Sequence, residues 1–145
     1  MTAANLPPDY LDAMERHWLD AELLFHLTPP SLANADQLYG LSAECGLKAL
    51  MRKWGMQLDH NNVPAHPLDR KHADLIWDRY ETYHQGRFTT LALPTRRPRP
   101  FDDWSIHHRY ASRSYFQQTV VEGHMRGASI VKKLVADAKI LGELP

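Results

Sequence analysis

The stretch LYGLSAECGLKALM, residues 38 to 51, decides the fold of this chain. Its apolar side chains recur at the three- and four-residue spacing of an α-helix, and they fall on two stripes rather than one. A polar pair, Glu44 and Lys48, interrupts the apolar surface. A helix that is apolar on two sides is central in a bundle or lies at a subunit interface. We therefore predict a central helix from about Ser31 or Asn34 to Trp54.

Three further helices are predicted around this central one. The first begins near Pro8 or Asp9 and stops at a pair of prolines, since proline cannot continue a helix. A third is expected over about residues 69 to 85, and the last over about residues 112 to 141. The sequence therefore predicts an all-α protein, an antiparallel bundle of four or five helices in one domain over residues 1 to 145, with a long Arg/Pro-rich loop before the last helix.

Length and composition bound the class of protein. A chain of 145 residues has the usual size of one domain, and a hydrophobic content of 43% is that of a globular protein. The single cysteine excludes an internal disulfide and favours a reducing compartment. No apolar run approaches the roughly 20 residues that cross a bilayer, and no charged-then-apolar leader opens the chain. We expect a cytoplasmic protein without a membrane partner.

Positive charge is concentrated in one part of a chain whose formal net charge is zero. Residues 87 to 113 hold six arginines and two aspartates, a local charge of +4. Because such a segment attracts anions, we expect any anionic ligand to bind here. The side chains expected to hold it are Trp104, His107, His108, Arg109 and Tyr110. In the alternative interpretation Trp104 anchors the loop to the core, and Arg109 pairs with Glu44.

Several other polar side chains have both a functional and a structural interpretation. Glu44 and Lys48 are four residues apart, so they form either a ligand-binding polar site or a buried ion pair that fixes helix register. His72 either contacts the ligand or caps the third helix. His124 lies on an apolar stripe of the last helix, where a hydrogen-bonded core histidine is the favoured interpretation.

Neither a metal ion nor a cofactor is expected. The sequence contains no HxxxH, HExxH or CxxC motif and no Gly-rich phosphate loop. Cys45 lies in the middle of the central helix, so we expect it to be buried and a poor nucleophile. A dimer is expected, because the two-sided central helix, Trp54 and Trp77 offer more apolar surface than a small bundle can bury.

Three stretches in order resemble the HEPN family of helical domains. Residues 38 to 51 resemble the HEPN helix that carries Ala-Glu-Cys-x-Leu-Lys-Ala, and HADLIW at residues 72 to 77 is similar to the family's His-x-x-Leu. FDDWSIHHRY at residues 101 to 110 looks like its Trp-Ser-x-x-x-Arg-Tyr, and AMERHWLDAELL at residues 13 to 24 supplies the first helix. The resemblance covers most of the chain. It implies a helical bundle, frequent homodimers, and either RNA cleavage or the binding of nucleotides and partners.

Catalytic HEPN proteins carry Arg-x(4–6)-His, usually at the start of the last long helix and paired across a dimer. The one such spacing here, Arg79 to His84, falls on the third helix instead. The leading hypothesis is therefore a non-catalytic HEPN-like homodimer that binds a nucleotide, RNA or a protein partner, for which the family suggests a nucleotidyltransferase. One alternative is a metal-independent endoribonuclease that uses Arg79 and His84 across a dimer, similar to the toxins of toxin-antitoxin pairs. The other is a structural dimer without a small ligand.

Overall fold

A computed structural model describes residues 6 to 85 and 99 to 145. The described ranges form four α-helices, which are α1 (Tyr10–Phe25), α2 (Leu32–Lys53), α3 (Ile76–His84) and α4 (Gln118–Ile140). Short 3₁₀ turns lie in the connections at Pro67–Arg70, Ile106–Tyr110 and Arg113–Tyr115. Within the described ranges there is no strand beyond one isolated bridge, so the all-α prediction is confirmed. The predicted Arg/Pro-rich loop falls largely at residues 86 to 98, outside these ranges.

α2 is the central helix, as predicted. It contacts α1, α3 and α4, and most of its side chains are buried. Trp54 and Trp77 are only 6% and 1% exposed. The expectation that these two rings exceed what one chain can bury is therefore wrong, because neighbouring helices cover them. No helix among the described residues has the length and apolarity that crossing a bilayer requires.

The start of α1 and both ends of α2 agree with the sequence prediction. Asp9 caps α1, since its Oδ1 accepts a hydrogen bond from the N–H of Asp12 at 3.0 Å. α2 begins directly after Ser31 and ends one residue before Trp54. The aspartate before the apolar stripe of α1 and the prolines after that stripe are therefore sufficient to predict where α1 and α2 begin.

α3 and α4 are both shorter than predicted. α3 begins at Ile76, because the preceding Pro67–Arg70 turn directs Asp69 into the protein. There the side chains of Arg79 and Tyr83 donate hydrogen bonds to its carboxylate at 2.7 and 2.6 Å. α4 begins after the last of the 3₁₀ turns rather than before it. A buried polar contact and a series of capped turns thus replace the regular helix expected at these two places.

Two aromatic side chains anchor the segment that begins at residue 99 to the core. Phe101 and Trp104 are 1% and 2% exposed. Each packs over a glycine that has no room for a side chain. A Cβ added to Gly40 would lie 2.1 Å from the Trp104 ring, and one added to Gly127 would lie 2.8 Å from the Phe101 ring. These close approaches fix the position of the residues that follow.

Candidate functional site

Glu44, Lys48 and His72 form one contact cluster on α2 and the connection before α3. Lys48 Nζ donates to Glu44 Oε2 at 2.9 Å, and His72 Nδ1 lies 2.8 Å from Glu44 Oε1. Glu44 and Lys48 side chains are 11% and 7% exposed, whereas His72 is 43% exposed. The hydrogen bond to Glu44 raises the pKa of His72 more than partial burial lowers it. The three predicted residues are thus together, as a mostly buried ion pair with a histidine at its edge.

Both carboxylate oxygens of Glu44 are occupied by this cluster. The alternative that made Arg109 the partner of Glu44 is therefore wrong, because Lys48 and His72 take that place. The neighbouring Cys45 is half-buried and not fully buried as predicted. Burial raises its pKa to about 12, so the thiol stays protonated near neutral pH and is a poor nucleophile.

Trp104 lies in the core and not on the ligand-facing surface predicted for it. Its indole Nε1 donates to the backbone oxygen of Asp36 at 2.9 Å, and its ring is 2% exposed. The alternative interpretation of this residue, an anchor between the loop and the core, is the one that the structure supports. Its ring faces are covered by protein, so it offers no wall on which a ligand would stack.

The four other residues that were expected to bind an anion with Trp104 lie on the Ile106–Tyr110 turn; they are His107, His108, Arg109 and Tyr110. The Arg109 guanidinium lies over the Tyr110 ring, 4.9 Å from its centroid. Tyr110 is 76% exposed, and Arg109 and His107 are also exposed. His108 is half-buried. The turn therefore presents a cation, an aromatic ring and an imidazole to solvent close together.

Arg109 and Arg113 line one cleft of about 490 Å³. Residues 29 to 34, at the start of α2, form its other side. Neither arginine forms an ion pair within the described ranges, and Ser31 makes no side-chain hydrogen bond that would cap α2. Because the first N–H groups of a helix lack intrahelical acceptors, the cleft combines two arginines that have no carboxylate partner among the described residues with the positive end of a 22-residue helix.

His124 joins two carboxylates that lie far from it in the sequence. Its Nδ1 is 2.5 Å from Asp36 Oδ1, and its Nε2 is 2.7 Å from Asp103 Oδ1. Burial lowers the pKa of His124, but hydrogen bonds to Asp36 and Asp103 and their charges outweigh burial and raise it. The prediction of a hydrogen-bonded core histidine is confirmed. Its partners could not be found from local sequence, since they are 88 and 21 residues away.

The Arg79 and His84 side chains are engaged in different contacts within the chain. Arg79 Nε donates to Asp69, whose side chain is 1% exposed. His84 packs against Trp54 and Tyr80, with ring centroids 5.6 and 5.8 Å apart. Action of this pair across a dimer stays a prediction.

Comparisons with protein-family models, with curated proteins and with solved structures found no match to this chain. The HEPN resemblance therefore stays a prediction that rests on the three sequence motifs. Among the described residues, no group of three or more His, Cys, Asp or Glu side chains has a geometry that could hold a metal ion.

Proposed function

We propose that this chain is a non-catalytic HEPN-like module that binds an anionic, nucleotide-type ligand in the cleft lined by Arg109 and Arg113. One observation carries the proposal. Both arginines line the same 490 Å³ space, and neither is paired with a carboxylate among the described residues.

Another arginine of the same basic segment is paired with carboxylates. Arg99, which belongs to the same basic segment, is bound to Asp78 and Glu81 at 2.5 and 3.2 Å. Arg109 and Arg113 instead line one open cleft without a carboxylate partner among the described residues. The planar guanidinium fork matches phosphate oxygens, so a phosphate in the cleft would form charge-assisted hydrogen bonds with these side chains.

Tyr110 contacts Arg109 but does not itself line the cleft, and it is the ring on which we expect the base of a nucleotide to stack. Its ring is 76% exposed, and its contact with Arg109 restrains both side chains. An exposed aromatic ring offers a face for a base, and stacking of a base on such a ring contributes about 1–3 kcal/mol. A phosphate on the arginines and a base on Tyr110 is therefore the arrangement that we favour.

The contacts of Arg79 support the non-catalytic part of the proposal. Its guanidinium is held by the buried carboxylate of Asp69 and lies over the Tyr83 ring at 5.5 Å. A side chain that must stabilise a phosphorane would have to leave these contacts. Stabilisation of transition-state charge works best with donors already directed at the reacting atoms.

A homodimer is part of the proposal and rests on the outer face of α1. Leu19, Leu23 and Leu27 follow one another at four-residue spacing and are 57%, 67% and 47% exposed. Leu19 and Leu23 lie on α1, Leu27 lies two residues beyond its end, and a two-fold axis would bring the same surface of a second copy against them. A nucleotidyltransferase remains the protein partner that the resemblance suggests.

The proposal is tested by calorimetric titration of the purified chain with ATP. We expect binding that weakens at least about tenfold in Arg109→Ala and in Arg113→Ala, since a hydrogen bond to a charged group contributes about 1.5–3 kcal/mol. Arg126→Ala is the matched control, because Arg126 is an exposed arginine of α4 that lies outside this cleft.

A short RNA and inorganic phosphate form the other arms of this titration. Binding of RNA alone, with the same dependence on both arginines, would keep the site and change the ligand class. Absence of binding in all three arms, or equal weakening by Arg126→Ala, would contradict the proposal.

A further inference from the structure

The hydrogen bonds of His124 connect the supports of the two sides of the proposed anion cleft. Its inner partner, Asp36, lies on α2 two residues after Asn34, which lines one side of the cleft. Its outer partner, Asp103, precedes Arg109 on the other side by six residues. The bridge from Asp36 through the imidazole to Asp103 therefore restrains the segment that carries Arg109 against α2.

Both hydrogen bonds of this bridge exist together only when the three groups hold two protons. A ring nitrogen and a carboxylate oxygen that carry no proton are both acceptors, so they repel each other. The contacts of 2.5 and 2.7 Å therefore need one proton each, whichever of the groups holds it. Phe101 stacks on the imidazole, with centroids 5.5 Å apart and planes at 16°, which restrains the ring so that each nitrogen stays directed at its own carboxylate.

The loss of one proton breaks the outer contact and not the inner one. The Asp36 side chain is 2% exposed, and a buried polar group without a partner is costly. Asp103 is 66% exposed, so water replaces its bond to the ring at little cost. Burial lowers the pKa of His124, but the hydrogen bonds to these aspartates and their charges raise it overall, so the transition lies above pH 6.5.

Other charged or titratable side chains also line the two cavities beside His124. Within the described ranges they are Arg99, Asp102, His108, Tyr115 and Arg126. Arg99 is already bound to two carboxylates of α3, and Asp102 accepts a hydrogen bond from the Arg99 backbone N–H. His108 is an imidazole, so a pH series has to separate its effect from that of His124.

We infer that His124 is a positioning residue for the anion cleft, and that loss of a proton from its bridge frees Asp103 and weakens anion binding at Arg109. The inference rests on the proposed function and adds regulation by pH to it. While the bridge is intact, it holds residues 103 to 109 beside the start of α2. Once Asp103 is free, this stretch has lost one of its links to the core, and Arg109 is positioned less strictly.

The effect on affinity is graded, because two other links remain after Asp103 is freed. The Trp104 indole still donates to the backbone oxygen of Asp36, and Gln37 Nε2 donates to the backbone oxygen of Ser105 at 2.9 Å. We therefore expect ATP binding to be about fivefold weaker at pH 9 than at pH 6, the lower end of the range for coupled sites.

The test is a calorimetric titration of the full chain with ATP from pH 6 to 9, with an NMR titration of the His124 ring nitrogens over the same range. The ionisation of ATP is the same for every protein variant, so it cancels when their pH profiles are compared. We expect the affinity to fall with its midpoint at the pH at which the ring titrates. A different midpoint, or a ring that does not titrate in this range, would overturn the inference.

Asp103→Asn separates the bridge from other effects of pH. An amide both donates and accepts, so it keeps a hydrogen bond to the ring in either protonation state, and most of the pH dependence should disappear. Asp102→Asn is the matched control, because it removes the same charge from the neighbouring residue and should keep the native profile. A native profile in Asp103→Asn, or a loss of pH dependence in His108→Gln instead, would assign the effect elsewhere and contradict the inference.

NMR relaxation of the backbone amides of residues 105 to 110 tests the same bridge without a ligand. We expect lower order parameters at pH 9 than at pH 6 in the native chain, and no such difference in Asp103→Asn. This result in a chain that binds no ATP would support the positioning role of His124 and contradict the proposed function. Order parameters that do not change with pH in the native chain would overturn the inference, whether or not ATP binds.

Discussion

His124 and Asp36 form a hydrogen bond inside the core, with Nδ1 and Oδ1 2.5 Å apart and both side chains 2% exposed. The bond joins α4 to α2 across 88 residues of sequence. The outer partner of the histidine, Asp103, is bonded at 2.7 Å but is 66% exposed. The two carboxylates thus make the same kind of contact in very different solvent environments.

We predict that the inner carboxylate is much more important for stability than the outer one. Asp36→Ala leaves the buried His124 ring without its inner carboxylate, and breaking a buried pair costs about 3–5 kcal/mol. Asp103→Ala removes an exposed partner, for which about 1 kcal/mol or less is expected. Urea unfolding of both variants measures the difference. Equal losses of unfolding free energy would show that the buried contact has no special role.

The same histidine should make stability depend on pH. The pKa of His124 is raised above its usual 6.5 in the folded chain. Its stabilisation is therefore fully present below the unfolded-state pKa and is lost as pH rises through the folded-state pKa. We predict that the unfolding free energy of the native chain falls as pH rises above 6.5.

His124→Gln is the matched variant for this pH series. Its unfolding free energy should be lower at pH 6 and should fall less between pH 6 and 8.5. His72, whose pKa is also raised, adds the same slope to both proteins and does not obscure the comparison. Parallel curves for the two proteins would exclude His124 as the source of the pH dependence.

The sequence predicted the parts of the fold that local spacing determines. The two stripes of α2 predicted a central helix, and the four-residue spacing of Glu44 and Lys48 predicted their contact. The sequence leaves Trp104 with two interpretations, because an aromatic residue in a basic segment is equally typical of a binding surface and of an anchor. Only the packing of Trp104 over Gly40, 64 positions earlier in the chain, distinguishes the two, and spacing cannot reveal such a contact.

We predict a structural role for Arg79 and no cleavage of RNA by the purified chain. Arg79→Ala should reduce the unfolding free energy by about 3 kcal/mol, the lower end for a buried pair, because Tyr83 still donates to Asp69. Incubation of a labelled RNA with the native chain and with His84→Ala provides the test of activity. Metal-independent cleavage that disappears in a folded His84→Ala variant would favour the ribonuclease alternative.

We predict that the chain is a dimer in solution through the outer face of α1. Light scattering at micromolar concentration should give twice the mass of the 16.7 kDa chain. Leu23→Asp, which changes the most exposed leucine of the row, should give a single-chain mass. Leu68→Asp is the control, since Leu68 is 46% exposed on a different element. A single-chain mass for the native protein would refute the dimer.

The measurement that tests the proposed function most directly is the ATP affinity of Arg109→Lys, taken together with its melting temperature. Lysine keeps the charge but loses the planar fork, so we predict an affinity about tenfold weaker. The melting temperature should be unchanged, because Arg109 is exposed and has no carboxylate partner among the described residues. Native-like affinity in this variant, or a large fall in melting temperature with no nucleotide bound by the native chain, would contradict the account.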